Sequence, residues 1–161
     1  MNRISRDDLL SLQALLTSLR STCGRRKVGA ILARDGRIIS SGYAGAPSGM
    51  PHCSPACLQA SNALGGCTRT AHAEVNAISD AAKHGRATEG ATCYTTLSPC
   101  PTCAKALKNA GIVKVVYSET YRDPSGIDLL HRMGIQCATS SVSFATFANL
   151  QQMYGLDDRP V

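Results

Sequence analysis

The chain has no tryptophan, two phenylalanines and five tyrosines, so aromatic residues make up 4% of its 161 positions. Proteins that hold single-stranded nucleic acid stack bases on aromatic rings, and this composition argues against that class. A broad basic surface is missing too. Lysine and arginine number 17 against 11 acidic residues, a formal net charge of +6, yet Arg25-Arg26-Lys27 is the one tight cluster. Nucleic acid is therefore not an expected partner, while a phosphorylated small molecule suits the modest positive charge. No apolar run reaches the roughly 18 residues that a membrane-spanning helix needs, and the N-terminus lacks the basic-then-apolar order of a secretory signal. The expectation is a soluble, cytoplasmic protein with no membrane partner. Disulfides are rare in that compartment, so the eight cysteines read as metal ligands and core residues. Repeats, low-complexity stretches and linkers are absent as well, and the length fits one domain over residues 1–161 with a sizeable core.

What the chain does have is His72-Ala73-Glu74 followed by Pro99-Cys100-Pro101-Thr102-Cys103. The order H-x-E then P-C-x-x-C is the recognised signature of zinc nucleobase deaminases. Each residue type has a chemical reason to be there. A neutral imidazole and two thiolates give a borderline-soft ion such as Zn²⁺ three of four tetrahedral positions, and the open fourth marks a catalytic site. Coordination lowers the pKa of water from about 15.7 to about 7. Glu74 is the candidate proton shuttle: in a dry pocket it can take the water proton, pass it to a ring nitrogen and help an amine leave as ammonia. Taken singly, C-x-x-C could be a redox dithiol and His-x-Glu a piece of surface helix. In this order, separated by a helix and a strand, they point to His72, Cys100 and Cys103 as ligands of a catalytic zinc.

Local patterns place these residues. A helix is predicted over 73–83, with an apolar stripe of Ala77, Ile78, Ala81 and Ala82 and a stop at Gly85, so His72 and Glu74 lie in or beside its first turn. Pro99 and Pro101 flank Cys100, and proline is tolerated in a first helical turn, so Cys100 and Cys103 are expected to open a second helix ending before Gly111. Residues three apart share a helical face, and a helix N-terminus lowers thiol pKa. Upstream, Ser5 and Asp8 resemble a capping box for a helix carrying Leu9, Leu12, Leu15, Leu16 and Leu19. Strands are predicted over 28–33 and 37–41, around the hairpin signal Asp35-Gly36. Further strands over 91–97, 113–117 and 135–139 alternate with helices, the last two over 126–133 and 142–154. From 42 to 70 runs a loop rich in Gly, Pro, Ser and Cys, of a length that is usually functional or tied down. The alternation implies parallel pairing in the second half. The expected fold is α/β, a three-layer α/β/α sandwich with the metal half-sites near strand C-terminal ends.

Beyond the metal signature, several segments between residues 20 and 138 are similar to the deoxycytidylate deaminases, which convert dCMP to dUMP and so feed thymidylate synthesis. They are Ser21-Thr22-Cys23, Lys27-Val28-Gly29-Ala30, Asp35-Gly36-Arg37-Ile38-Ile39, Gly42 to Gly49, His72 to Ile78, Thr96 to Ala104 and Glu119-Thr120-Tyr121. The resemblance implies a cytidine-deaminase-like sandwich with a five-stranded mixed sheet. It implies zinc on His72, Cys100 and Cys103, with Glu74 as shuttle. It further implies that the Ala73 N–H meets the pyrimidine O2, the Ser98 carbonyl receives the amino group, and Tyr121 packs on the base. Arg25, with Arg122 as second candidate, would meet the 5′-phosphate, where a guanidinium can bind bidentately. Family members commonly form hexamers activated by dCTP and inhibited by dTTP, so a homo-oligomer with these effectors is expected. The chain departs from the family at one position: Gly42-Tyr43-Ala44-Gly45 replaces Gly-Tyr-Asn-Gly, and Ala44 has no side-chain group to hydrogen-bond the sugar. The alternatives are a modified or differently phosphorylated cytidine nucleotide, or compensation for the missing asparagine by another residue.

Cys23, Cys53, Cys57 and Cys67 form a second constellation, which could hold a structural zinc and pin the long loop beside the site. His52 in place of one cysteine, disulfides and free thiols are the other readings. Cys93 and Cys137 fall in apolar strand patterns and read as core. Two rival functions share these residues. A tRNA adenosine deaminase needs an RNA-binding face, and residues 151–161 carry only Arg159 as a basic group. A zinc-stabilised binding protein would have no use for Glu74 beside an open metal position.

Overall fold

Ser5 begins the first element in the way its sequence predicts. The structure, a computed structural model, describes residues 3–53, 67–143, 145, 146 and 149. Helix α1 spans Arg6–Ser18; the Ser5 hydroxyl accepts the Asp8 N–H at 3.0 Å and donates to the Asp8 carboxylate at 2.7 Å. Asp7 and Asp8 in the first turn also complement the helix dipole. The leucine spacing identifies this helix but not its buried face. Leu9, Leu16 and Leu19 stay 44%, 44% and 52% exposed, whereas Leu12 of that series is buried along with Leu10, Ser11, Ala14 and Ser18. Small side chains on that face let the helix lie close against the sheet.

Strand β1 (Gly29–Arg34) turns at Asp35 (φ 54°) and Gly36 (φ 74°) into antiparallel β2 (Arg37–Tyr43). Positive φ at both central residues is what a tight type I′ hairpin requires. Helix α2 (Ala73–Lys83) then leads to β3 (Thr92–Leu97), α3 (Pro101–Asn109), β4 (Lys114–Glu119), α4 (Ser125–Arg132) and β5 (Gln136–Thr139). The sheet order is β2-β1-β3-β4-β5; β1 pairs antiparallel with β3, and β3, β4 and β5 run parallel. This is the expected mixed five-stranded sheet. The closing helix read over 142–154 lies mostly outside the described residues, of which Ala145, Thr146 and Asn149 are helical. No helix among the described residues is long and apolar enough to cross a membrane.

Side chains alternate across the strands, as the pleat demands. Ala30, Leu32, Cys93, Val115 and Tyr117 face a core shared with Ala73, Ala77, Leu107 and Leu130 of the three later helices. Ile31, Ala33, Tyr94 and Val116 face the other way, toward Leu10 and Ala14 of α1. A polar clamp closes this second layer: Lys114 Nζ and the Tyr94 hydroxyl both donate to the Asp7 carboxylate at 2.7 Å. Hydrogen bonds from Lys114 and then Tyr94 hold the Asp7 carboxyl below its ordinary value of 3.8.

Because the folded value is depressed, the clamp stabilises the protein above the ordinary value and its contribution is lost as pH falls through the lowered one. Asp7 is partly exposed, so Asp7→Asn should cost no more than about 1 kcal/mol at neutral pH. Urea titrations should show the difference from wild type closing in acid; equal stability at neutral pH would remove the clamp's role.

Candidate metal centre and active site

The two metal half-sites come from two helix ends. His72 is the N-cap of α2 and Cys100 the N-cap of α3; both have extended backbone, with ψ of 153° and 167°. Pro101 opens α3, and Cys103 sits one turn in with 1% exposure. His72 Nδ1 lies 3.6 Å from Cys100 Sγ and 3.3 Å from Cys103 Sγ. Zinc bonds of about 2.05 Å to nitrogen and 2.3 Å to sulfur, set at a tetrahedral angle, require an N···S separation of about 3.5 Å. The donor set therefore fits a tetrahedral ion. Among the described residues it is the one group of His, Cys, Asp or Glu whose ligand atoms all lie within 4.8 Å of one another.

Backbone contacts hold the α2 half in place. A β-carbon at Gly42 would overlap the Ala73 carbonyl oxygen and the Ala77 nitrogen, so only glycine lets β2 lie directly beneath the first turn of α2. Asn76 Nδ2 donates to the Tyr43 carbonyl at 2.8 Å, and Ala71 exchanges two backbone hydrogen bonds with Gly45, at 2.9 and 3.2 Å. Asn76 did not stand out in the sequence, where it reads as one more polar helix residue; its position four beyond His72, on the same side of the helix, is the only signal it gives. On the other half, the Ser98 N–H donates to the Glu119 carbonyl at 2.8 Å and the Ser98 hydroxyl accepts the Tyr121 N–H at 2.8 Å.

Glu74 is 3% exposed, and burial raises its carboxyl pKa. The Cys100 thiol is pushed down to about 4 by a hydrogen bond from the Cys103 thiol and by His72. Cys103 moves the opposite way, as the donor to that sulfur and by burial, while the hydrogen bond to Cys100 raises His72. The two sulfurs are thus driven apart, Cys100 toward the thiolate and Cys103 toward the thiol.

A cavity of about 320 Å³ opens onto this corner, and His72, Ala73, Glu74, Ser98 and Cys100 line its floor. Arg25, Arg122, Tyr121, Ala44, Cys23 and Cys67 also line it, so the structure brings together the residues singled out for substrate contact. The Arg122 guanidinium lies 5.7 Å from the centroid of the Tyr121 ring, within cation–π range. Ala44 is buried; its N–H donates to the Val28 carbonyl, and its own carbonyl accepts from Thr22 N–H and the Ser21 hydroxyl. Only a methyl group remains for a ligand. Arg26, which lines the cavity unpredicted, pairs with Glu119.

The second cysteine set is only partly placed. Cys23 and Cys67 share the cavity, Cys53 is buried, His52 is exposed, and Cys57 lies outside the described residues. The Cys67 thiol donates to Thr70 Oγ1 at 3.5 Å. Cys93 is fully buried and Cys137 partly so, both packed in the core as expected.

A three-donor metal corner with an unligated buried carboxylate beside it, set at strand C-terminal ends of an α/β/α sandwich, defines a metal-dependent hydrolase of the deaminase class. Residues 4–119 match the family described as the cytidine and deoxycytidylate deaminase zinc-binding region, and the chain belongs to that family. It is 42% identical over 137 residues to ComE operon protein 2 of Bacillus subtilis (strain 168), covering 84% of this chain and 71% of the relative. It is 37% identical to the deoxycytidylate deaminase of Enterobacteria phage T4, covering 76% of this chain and 83% of that one. The crystal structure of dCMP deaminase from cyanophage S-TIM5 in complex with dCMP and dUMP superposes with a TM-score of 0.75 at 33% identity, covering 87% of this chain and all of that one.

Two measurements test the electrostatics. Zinc needs both sulfurs as thiolates and His72 as a neutral imidazole, so zinc affinity measured by chelator competition should fall by at least about tenfold per pH unit on acidification; an affinity independent of pH would contradict these ligands. Glu74's raised pKa means that burying the carboxylate opposes folding once pH climbs through that value. Glu74→Gln should therefore melt no lower than wild type, and a clear drop in Tm would make the carboxylate a structural group.

Proposed function

We propose that the chain hydrolyses dCMP to dUMP with release of ammonia. The observation that carries this reading is the buried Glu74 beside a His-Cys-Cys corner, in a cavity that exposed arginines also line. His72, Cys100 and Cys103 would hold zinc, which supplies water acidic enough to ionise near neutral pH. Glu74 accepts the water proton, delivers it to the ring nitrogen and then assists the departing amine. Its burial keeps competing solvent away and moves its pKa toward the working range. The Ala73 N–H, in the first turn of α2, is directed at the pyrimidine O2, and the Ser98 carbonyl receives the amino group. Tyr121 packs on the base, and Arg25, supported by Arg122, binds the phosphate.

The methyl group at Ala44 favours one second reading, a cytidine nucleotide altered at the pyrimidine or in its phosphates, because no side-chain atom at that position selects the sugar. Residues 1–161 form one deaminase domain in this reading. A structural zinc on Cys23, Cys53, Cys57 and Cys67 is part of the proposal; Cys23 and Cys67 line one cavity, but the ligand atoms of Cys23, Cys53 and Cys67 do not all lie within 4.8 Å of one another, so the ion would have to draw them together. The exposed leucines of α1 support a homo-oligomer, taken to be a hexamer under dCTP and dTTP control. Described cysteines free of disulfides suit a reducing compartment, the cytoplasm.

Ammonia release from dCMP, deoxycytidine, dCTP and 5-substituted dCMP tests the reading. The expected order puts dCMP ahead of deoxycytidine; Glu74→Gln should abolish turnover with zinc retained, and Arg25→Ala should raise KM for dCMP while leaving deoxycytidine kinetics unchanged. Full activity of Glu74→Gln would remove the mechanism, and equal use of nucleoside and nucleotide would remove the phosphate contact.

A further inference from the structure

The Cys100 half of the metal corner is tied down by the Ser98 hydroxyl and by backbone contacts. Its frame is the connection from β4 to α4. The Glu119 carbonyl and the Tyr121 N–H take up the backbone N–H and hydroxyl of Ser98. Asp123 accepts the Ser125 N–H at 3.0 Å, and the Pro124 carbonyl accepts the Ile127 N–H at 2.9 Å, which turns the chain into α4. The first turn of α4 then lies against the peptide that precedes the ligand. A β-carbon at Gly126 would overlap the Pro99 carbonyl oxygen and come within 2.9 Å of the Cys100 carbonyl carbon. Gly126 is itself buried and Pro99 is among the most deeply buried side chains, so neither backbone has room to yield.

We infer that Gly126 is a positioning residue for the metal: its missing side chain lets α4 clamp the Pro99–Cys100 peptide, which fixes where the Cys100 sulfur stands relative to His72 and Cys103. The same connection carries Tyr121 and Arg122 on the cavity wall, so substrate wall and metal corner share one frame. A displacement of the Cys100 backbone by a few tenths of an ångström is enough to spoil a coordination sphere with fixed bond lengths. The inference rests on Cys100 being a zinc ligand, and the experiment separates the two.

The test follows release of zinc to a colorimetric chelator from wild type, Gly126→Ala, and His131→Ala on the exposed side of α4, scoring only the zinc that Cys100→Ser lacks. Gly126→Ala, folded by circular dichroism, should release it at least about tenfold faster, with a shifted thiolate-to-metal band in the Co²⁺-substituted protein; His131→Ala should match wild type. A folded Gly126→Ala with wild-type release and an unshifted band overturns the inference. If Gly126→Ala does not fold, Leu130→Ala, which loosens α4, is compared with Leu10→Ala, which leaves a similar cavity in the α1 layer. Faster release from Leu130→Ala sustains the inference, and equal release overturns it. A wild type holding no zinc that depends on Cys100 would instead overturn the metal reading, and this inference with it.

Discussion

Everything at the active site depends on one distance, the separation of two helix ends that belong to different parts of the chain. His72 caps α2 and Cys100 caps α3, and 27 intervening residues, with a whole strand among them, offer no local means of setting the gap. Tetrahedral coordination tolerates errors of only a few tenths of an ångström. Side-chain packing alone is a poor ruler on that scale, because rotamers adjust. The chain uses backbone against backbone instead: α2 rests on β2 where Gly42 has no side chain, and α4 rests on the Pro99–Cys100 peptide where Gly126 has none. Close backbone contacts leave nothing that can rotate out of the way. The frame is therefore stiff where the metal needs it to be.

That frame is also what makes the electrostatics sustainable. A carboxylate, an imidazole and two sulfurs are gathered in a largely buried space, where unpaired charge is costly. Burial drives Glu74 toward its neutral form, and the neighbouring thiols pull each other in opposite directions, Cys100 down and Cys103 up. Two helix N-termini ease the burden by presenting positive potential to the sulfurs and to Glu74. A divalent cation relieves the rest, because two thiolates neutralise it and the imidazole stays uncharged. Stability and reactivity pull in opposite directions here, and the folded core of Leu32, Leu107, Leu130 and Val115 supplies the excess that lets the site exist.

Much of this was legible in the sequence because the informative residues lie close together along the chain. His72-x-Glu74 and Cys100-x-x-Cys103 each fall within a single helical turn, so their chemistry can be read without knowing the fold. Strand and helix alternation was equally readable, since each element buries a face with its own period. What escaped depends on contacts between distant segments. The leucines of α1 gave the helix but not its orientation, because the buried face holds Leu10, Ala14 and Ser18 with Leu12, while Leu9 and Leu16 of the stripe stay exposed. Asn76 and Gly126 are unremarkable in the sequence and acquire meaning only when Tyr43 and Pro99 are brought against them. The pairing of Arg26 with Glu119 spans 93 positions and has no local signal at all.

Ala44 shows how a single departure can shift where recognition resides. Its backbone N–H and carbonyl are committed to Val28, Thr22 and Ser21, so the residue has neither side-chain nor main-chain polarity to offer a ribose. At this position selectivity for a sugar can come only from shape, with the methyl group closing off space, and shape discriminates by only about 1–3 kcal/mol per methylene-sized difference. A phosphate would be better served, since Arg25, Arg26 and Arg122 line one cavity and an arginine fork matches a phosphate bidentately. Glu119 balances one of those charges through its pair with Arg26. Under the proposed reading, such a site would hold its ligand chiefly by the phosphate and the base, leaving the sugar between them as the part most open to variation.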